Sequence, residues 1–373
     1  MISIEKVTDS KGLKQFIDYP HSLYKDDGNY VPELFIAQRD LLNSKKHPFF
    51  DHSKLDLFLA YKNNKVDGRI AAIRNNNHID TTGKKDGFFG FFDVADDYKV
   101  AEKLLDTVSN WTKEEGLTSV LGPTNFSTNE TCGMLVDGFD SPPLVMMTYN
   151  KAYYPEFLKQ YGFEKKMDLL AYNLTEDKLS EKAVRLAGSI ENRLKNKGIV
   201  VRTINMKKFD EDVAKIKTVY NGAWEKNWGF VPMTDKEFEY MTKDMKMILD
   251  PDFALIAEHN GVPVGFSLAI PDVNQILINV KRGRLLPLGI FKLLLNKSKI
   301  NKLRVITLGV VKEYRKLGIE ACFYSKTIVT GLKKKFVSAE ASWILENNEM
   351  MNQAMINMNG DPYKRYRIYE KTV

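Results

Sequence analysis

Residues 304–332, RVITLGVVKEYRKLGIEACFYSKTIVTGL, decide the fold: a buried strand, a tight basic turn, then a helix. Arg315, Lys316, Leu317, Gly318 and Ile319 supply consecutive backbone N–H groups where that helix begins. A helix start with bare amides attracts a pyrophosphate, because the orphan donors and the helix dipole act together. Glycine at position 318 lets a phosphate approach the main chain.

Working outward, the same order of elements reads twice. In the first half, a strand (ISIEKV), a helix interrupted at Pro20 and a hairpin over 56–73 turning at Asn63 and Asn64 lead to a buried strand, GFFGFFDV. Val100, Leu104, Val108 and Trp111 then recur at helical spacing and end at Gly116, followed by the strand LTSVLG. A long loop to about residue 149, the helix YYPEFLKQYGF and the strand MDLLAYNL complete the copy. Residues 176–197 form a linking helix, after which GIVVRTIN begins the order again. The hairpin 58–73 aligns without a gap on 255–270 at an offset of 197, Gly68 falling on Gly265. Tyr172 falls on Tyr369 at the same offset, but Tyr98 meets Tyr314 only at 216. The second copy therefore carries about 19 extra residues before its central strand and loses as many later, where the 122–149 loop has no counterpart.

Arg315-x-x-Gly318, preceded by a strand, resembles the pyrophosphate loop (Gln/Arg-x-x-Gly-x-Gly/Ala) of the GNAT superfamily of acyl-CoA N-acyltransferases. The element order, and the closing segments GFEKKMDLLAYNL and NGDPYKRYRIYEK, resemble that fold in both copies. The resemblance implies an α/β (α+β) fold class: two tandem GNAT-like domains, each a mixed central sheet flanked by helices. Residues 1–175 would be a degenerate copy, and 176–373 a copy with the acyl-CoA loop and a basic insertion at about 281–304. In the first copy, Lys99, Val100, Ala101 and Glu102 occupy the loop positions, with Asp96 and Asp97 just before them. Those carboxylates would satisfy the helix start and repel a pyrophosphate.

By resemblance, the fourth and fifth strands of the second copy splay, and the pantetheine arm of acetyl-CoA or another acyl-CoA runs between them against Val310 and Val311. Amine attack on a thioester needs alignment, an N–H for the oxyanion and a route for the ammonium proton. Glu346, at the end of SWILENN, is the candidate base, with a solvated neighbour of the following helix as its alternative. Asn348 is a further candidate for holding the co-substrate, with helix N-capping as its alternative. Three positions depart from the family pattern: Glu320 stands where Gly or Ala is usual, Asn359 where the first copy has the closing Gly162, and Met355 where the family has its tyrosine acid.

A length of 373 residues exceeds one ordinary core, and 43% hydrophobic residues say globular. A net charge of +7 and a pI near 9.0 favour anionic partners. The opening MISIEKVTDSKG lacks a secretory pattern and no run of about 18 apolar residues occurs, so a cytoplasmic protein without a transmembrane segment is expected. Cys132 and Cys322 make no disulfide framework, and His47 and His52 lack a third ligand nearby, so no metal is expected. Asn125, Asn129 and Glu130 of the long loop either line a substrate cleft or serve as turn and cap residues. The insertion has eight basic residues, no acidic one, and an apolar run including Leu285, Leu286, Leu288, Ile290 and Phe291. It either meets an acidic carrier protein or a lipid surface, or packs on the first domain.

The expected activity is transfer of an acyl group, acetyl foremost, from CoA to a small-molecule or peptide amine, with no nucleic-acid partner. One alternative takes the acyl group from an acyl carrier protein and makes an N-acyl amino acid or lipid. The other is a catalytically silent binding protein of the same fold.

Overall fold

A computed structural model describes residues 1–179, 181–224, 227–286 and 289–373; Leu288 lies outside them. β1 (Ile2–Lys6) leads into α1 (Ser10–Leu23), whose start is capped by Asp9, its carboxylate accepting from the Gly12 N–H at 2.7 Å. The break expected at Pro20 does not occur. Helix α1 runs through it and ends one turn later, the Pro20 carbonyl accepting from the Tyr24 N–H. The missing proline N–H falls in the final turn, and Tyr19, Pro20 and His21 are buried together, so packing outweighs the lost bond.

After α2 (Phe35–Leu41), the hairpin β2 (Lys54–Lys62) and β3 (Lys65–Arg74) turns at Asn63 and Asn64, with φ of 51° and 61°. Asparagine enters that left-handed region more readily than most residues. Then come α3 (Asn76–Thr82), β4 (Asp86–Val94), α4 (Tyr98–Glu114), β5 (Ser119–Gly122), β6 (Met134–Asp137), α5 (Tyr154–Tyr161) and β7 (Glu164–Thr175). Val100, Ala101, Leu104, Leu105, Val108 and Trp111 of α4 share one buried face and pack with Phe58, Ile70, Phe89 and Val94 of the sheet.

The order then repeats with α6 (Glu181–Lys195), β8 (Ile199–Thr203), α7 (Phe209–Trp224) and α8 (Asp235–Ile248). A reciprocal capping box between Thr234 and Glu237 starts α8. The hairpin β9 (Ala254–His259) and β10 (Val262–Pro271) follows, then α9 (Asn274–Leu277) just before the extra sequence and α10 (Gly289–Asn296) within it. β11 (Lys302–Val310), α11 (Ile319–Lys333), β12 (Ser338–Leu345), α12 (Glu349–Asn357) and β13 (Asp361–Thr372) complete the chain.

The expected division after residue 175 separates the copies in sequence; in space two compact units form from interleaved segments. The first comprises Met1–Leu169, Asn274–Lys297 and Lys364–Val373, the second Leu170–Val273 and Ser298–Tyr363. The first unit's sheet runs β1-β2-β3-β4-β5-β13; β13 is antiparallel to β5 over Tyr369↔Gly122 to Thr372↔Ser119 and to β6 over Arg365↔Asp137 to Arg367↔Met134. In the second unit the order is β7-β12-β11-β10-β9-β8. Each sheet is thus completed by a strand that belongs, in sequence, to the other copy.

The first unit also buries charge. Arg69 and Asp93 lie directly opposite on β3 and β4, with Nε donating to Oδ2 at 2.8 Å, and Arg69 Nη1 donates to the Phe16 carbonyl at 2.9 Å. Tyr24 donates to the other Asp93 oxygen at 3.0 Å. Beside this cluster His21 is buried, its Nδ1 3.0 Å from the Tyr30 hydroxyl. Burial first, then the Arg69 charge, pushes its pKa down from 6.5 to about 4. The sign follows: between those values the unfolded chain binds a proton that the folded unit refuses, so stability falls as pH drops through that window, by up to about 3 kcal/mol. We therefore expect His21→Gln to lose less melting temperature than the parent between neutral pH and about pH 4. An equal loss in both proteins, followed by calorimetry, would show that His21 carries none of the acid sensitivity.

Candidate active site

β11 and β12 pair in parallel only from Lys302↔Ser338 to Val305↔Ala341. Beyond that point they separate, and among the described residues no strand takes up the freed edge of β11. On the other side β11 stays paired with β10, where a bulge shifts the register between Leu268↔Thr307 and Ala269↔Val305. A bulge bends its strand and increases local twist, which helps turn β11 away from β12. The result is a cleft of about 430 Å³ lined by both strands, by Trp224 from α7, Arg315, Glu320 and Tyr324 beside or on α11, and Asn348 at the start of α12.

The expected co-substrate residues fall around this gap. Val310 is buried and paired with Gly265, its carbonyl accepting from Arg315 Nε at 3.1 Å. The Val311 N–H is used by the Val264 carbonyl at 3.0 Å. Arg315 also donates through Nη2 to the Ala223 carbonyl at 3.1 Å, so its guanidinium braces α7 against β11. Lys316 and Gly318 take left-handed φ values of 65° and 100°, and Gly318 caps α11 with no side-chain hydrogen bond. Bare amides there are what an anion needs, with positive charge close by: a Cβ on Gly318 would come within 2.7 Å of Arg193 Nη2. Leu317 and the buried Ile319 anchor the turn to the core of Val201, Leu255 and Phe323. Asn348 does N-cap α12, its Oδ1 accepting from the Met351 N–H at 3.2 Å, and it also lines the cleft. Glu346 is exposed at the end of β12 and is not among the lining residues, whereas Glu320 is.

Among the lining residues that sequence reasoning passed over are Trp224, Tyr324, Ser342 and Trp343. Gly309 is needed because Trp224 lies on it; a Cβ there would meet the indole at 2.2 Å. The matching cross-strand pair in the first unit is Arg69 with Asp93, so an aromatic wall over Phe266 and Gly309 replaces a buried ion pair. Tyr324 donates to Met351 Sδ at 3.1 Å, and burial, then the Glu320 charge, raises its pKa above the usual phenol value. Below the gap Arg304 and Glu340 are buried 3.8 Å apart, bridged by Ser342, whose Oγ is 3.0 Å from Arg304 Nε and 2.5 Å from Glu340 Oε1. Tyr363 donates to the other Glu340 oxygen.

In the first unit the corresponding gap is filled by the chain itself. β4 and β5 pair from Asp86↔Ser119 to Phe88↔Leu121, after which the Thr124 N–H donates to the Phe89 carbonyl at 2.7 Å. The Phe91 N–H donates to Asn125 Oδ1 at 2.9 Å, and a Cβ on Gly90 would meet the Thr124 oxygen at 2.5 Å. Asp97 caps α4 through the Lys99 N–H at 3.0 Å, occupying the amides an anion would use. Asn125 is therefore a plug within its own unit. His47 accepts from the Phe49 N–H at 3.3 Å, and Glu130 approaches it to 4.0 Å.

No family model matches the chain. It is 35% identical over 369 residues to protein YghO of Escherichia coli K12, covering 97% of this chain and 93% of that protein. It is 33% identical over 381 residues to the bacterial ceramide synthase of Caulobacter vibrioides, covering 100% of this chain and 98% of that one. Among solved structures it is similar in fold to a tandem GNAT protein from the clavulanic acid biosynthesis pathway, with a TM-score of 0.59, 11% identity, and coverage of 100% and 98%. A GCN5-related N-acetyltransferase from Sphaerobacter thermophilus superposes with a TM-score of 0.56 at 12% identity, covering 100% and 95%. With two relatives alike along their whole length and a repeated GNAT architecture, the chain belongs to the family of tandem GNAT-fold proteins that includes YghO and the Caulobacter ceramide synthase.

Proposed function

We propose that the chain is an N-acyltransferase whose thioester donor enters the gap between β11 and β12. The observation that carries this reading is the coincidence of an open strand edge with an uncapped helix start beside it. A pantetheine arm has amides of its own and can bond along the β11 edge as a strand would, while phosphates of the donor meet the amides of residues 316–319, the Arg315 N–H being held by the Lys312 carbonyl at 3.4 Å. Acyl-CoA and acyl carrier protein both present that arm. A relative named a ceramide synthase supports amide formation with a lipid acyl group.

The reaction needs few parts. The amine attacks the thioester carbon, the C–N bond forms and the C–S bond breaks. One proton leaves the nitrogen and one reaches the departing sulfur. A main-chain N–H of β11 meets the developing oxyanion. For the nitrogen's proton two carboxylates are available, Glu320 within the cleft and Glu346 outside it through water. For the sulfur, Tyr324 is the acid: it lines the cleft and a phenol carries its proton at neutral pH. Met355, at the position of the family's tyrosine, is buried in the wall.

The acyl group has a place as well. An apolar pocket of about 60 Å³ adjoins the cleft, sharing Val305, Tyr324, Ala341 and Met355 with it and continuing to Ile328, Leu332 and Phe336. Since about 10–15 Å³ on this measure admits one water, the pocket has room for several methylenes. That supports a chain longer than the acetyl group first expected. The acceptor is an amine, and we infer action in the cytoplasm, where acyl thioesters are made.

Four outcomes test the reading. Gly318→Ala should weaken CoA binding by about tenfold or more in calorimetry, while Glu102→Ala in the first copy should leave it unchanged. Equal affinity in both variants would remove the donor from this turn. Tyr324→Phe should lower kcat by on the order of 100-fold with KM for the donor little altered. Glu320→Gln should cost more turnover than Glu346→Gln, and the reverse order assigns the base to Glu346. On Gly331, in the pocket wall, a Cβ has open van der Waals distance, 3.8 Å to both Leu303 and Phe336. Gly331→Leu should fill the pocket and shift preference toward shorter acyl chains; an unchanged chain-length profile would place the acyl group elsewhere.

A further inference from the structure

The extra sequence of the second copy packs with the first unit, and it does so unevenly. Its base is fastened. Ile276 and Val280 are buried, and Asn274 Nδ2 donates to the Pro143 carbonyl at 3.0 Å. Gly283, at φ 62°, lies so close to the Glu33 carbonyl that a Cβ would fall 1.8 Å from that oxygen. Arg284 holds both Asp18 oxygens through Nη2, at 2.8 and 3.1 Å, and its guanidinium stacks 3.4 Å from the Phe35 ring centre.

The tip is different. Gly289 is buried against the Arg284 carbonyl, and from there α10 turns its apolar residues outward. Leu286 is 77% exposed, Phe291 59%, Leu294 68% and Leu295 75%. Soluble proteins rarely show so many large apolar side chains together without a partner. The interdomain packing that the sequence allowed would have buried them; the base of the insertion does pack, but these residues do not.

Within residues 281–304 the charges have one sign, although Arg282 and Arg284 reach Asp18 of α1 at 3.9 and 2.8 Å. Lys281, Arg282, Lys292 and Lys297 are exposed beside the apolar residues, and no acidic residue occurs from 281 to 304. Among the described residues no helix is long and apolar enough to cross a membrane. A short helix with protruding leucines and phenylalanine ringed by lysines is built to lie in an interface, burying its apolar side among acyl chains while its cations meet acidic headgroups. We propose that α10 and its flanks form a peripheral docking surface for an anionic lipid bilayer. A carrier protein meets its partner mainly through charge and leaves little reason for four protruding apolar side chains; a bilayer uses both features.

The test uses the full chain and vesicles, and reads flotation rather than turnover. The protein should float with phosphatidylcholine vesicles containing phosphatidylglycerol, much less with phosphatidylcholine alone, and less again as salt is raised. Replacing Phe291, Leu294 and Leu295 together by Ser should lower partitioning on the order of 100-fold. Reversing Lys281 and Lys297 to Glu should lower it by about tenfold. Because these side chains are exposed, the melting temperature should stay within about 2 °C of the parent. Failure to float with anionic vesicles at low salt would overturn the proposal, as would flotation unchanged by the triple serine variant. So would an outcome in which vesicles are ignored while the same variants lose binding to an acidic acyl carrier protein, or lose self-association in sedimentation.

Discussion

Two parallel strands that stop pairing after four residues leave a row of amides and carbonyls that must find partners. Nearly everything distinctive about the second unit follows from that gap. The bulge at residue 306 turns β11 outward while β10 keeps hold of its other edge. The Arg304, Glu340, Ser342 and Tyr363 cluster marks where separation begins and satisfies its own charges inside the sheet. A buried ion pair of this kind is a poor source of net stability. Its value is geometric, since each partner holds the next in one arrangement at the foot of the cleft.

The two copies show what happens when the same gap is treated differently. In the first unit Thr124 and Asn125 supply the missing strand contacts, Asp97 covers the helix start, and Arg69 with Asp93 fills the cross-strand position. In the second, the corresponding positions carry a bare helix start and a glycine under Trp224. One copy is closed by its own residues. The other is left open, and the proposed donor site rests on that opening.

Several features were legible without coordinates. Asn63 and Asn64 between apolar runs specify a hairpin, and Val100 through Trp111 at helical spacing specify α4 with its buried face. Carboxylates at positions 96 and 97 announce a self-capped helix. These are local matters of period, turn chemistry and capping. Tyr324 was not legible, because on α11 it follows the buried Cys322 and Phe323 and reads as one more apolar position. Glu346 is read from its place just after the fifth strand of its copy, and its exposure depends on how β12 ends, which the spacing does not contain.

By itself the sequence determined the tandem repeat, the hairpin and α4 of the first copy and the strand, turn and helix of 304–332, since these rest on local period, turn chemistry and capping. Only the tertiary structure decided that β13 pairs with β5 in the first unit, that the basic insertion is fastened to that unit while its leucines face outward, and that an apolar pocket joins the cleft behind Val305 and Ala341. The reason is common to all three. Strand edges and apolar faces are interchangeable in pattern, so which partner each one meets is set by long-range packing that leaves no periodic trace in the chain.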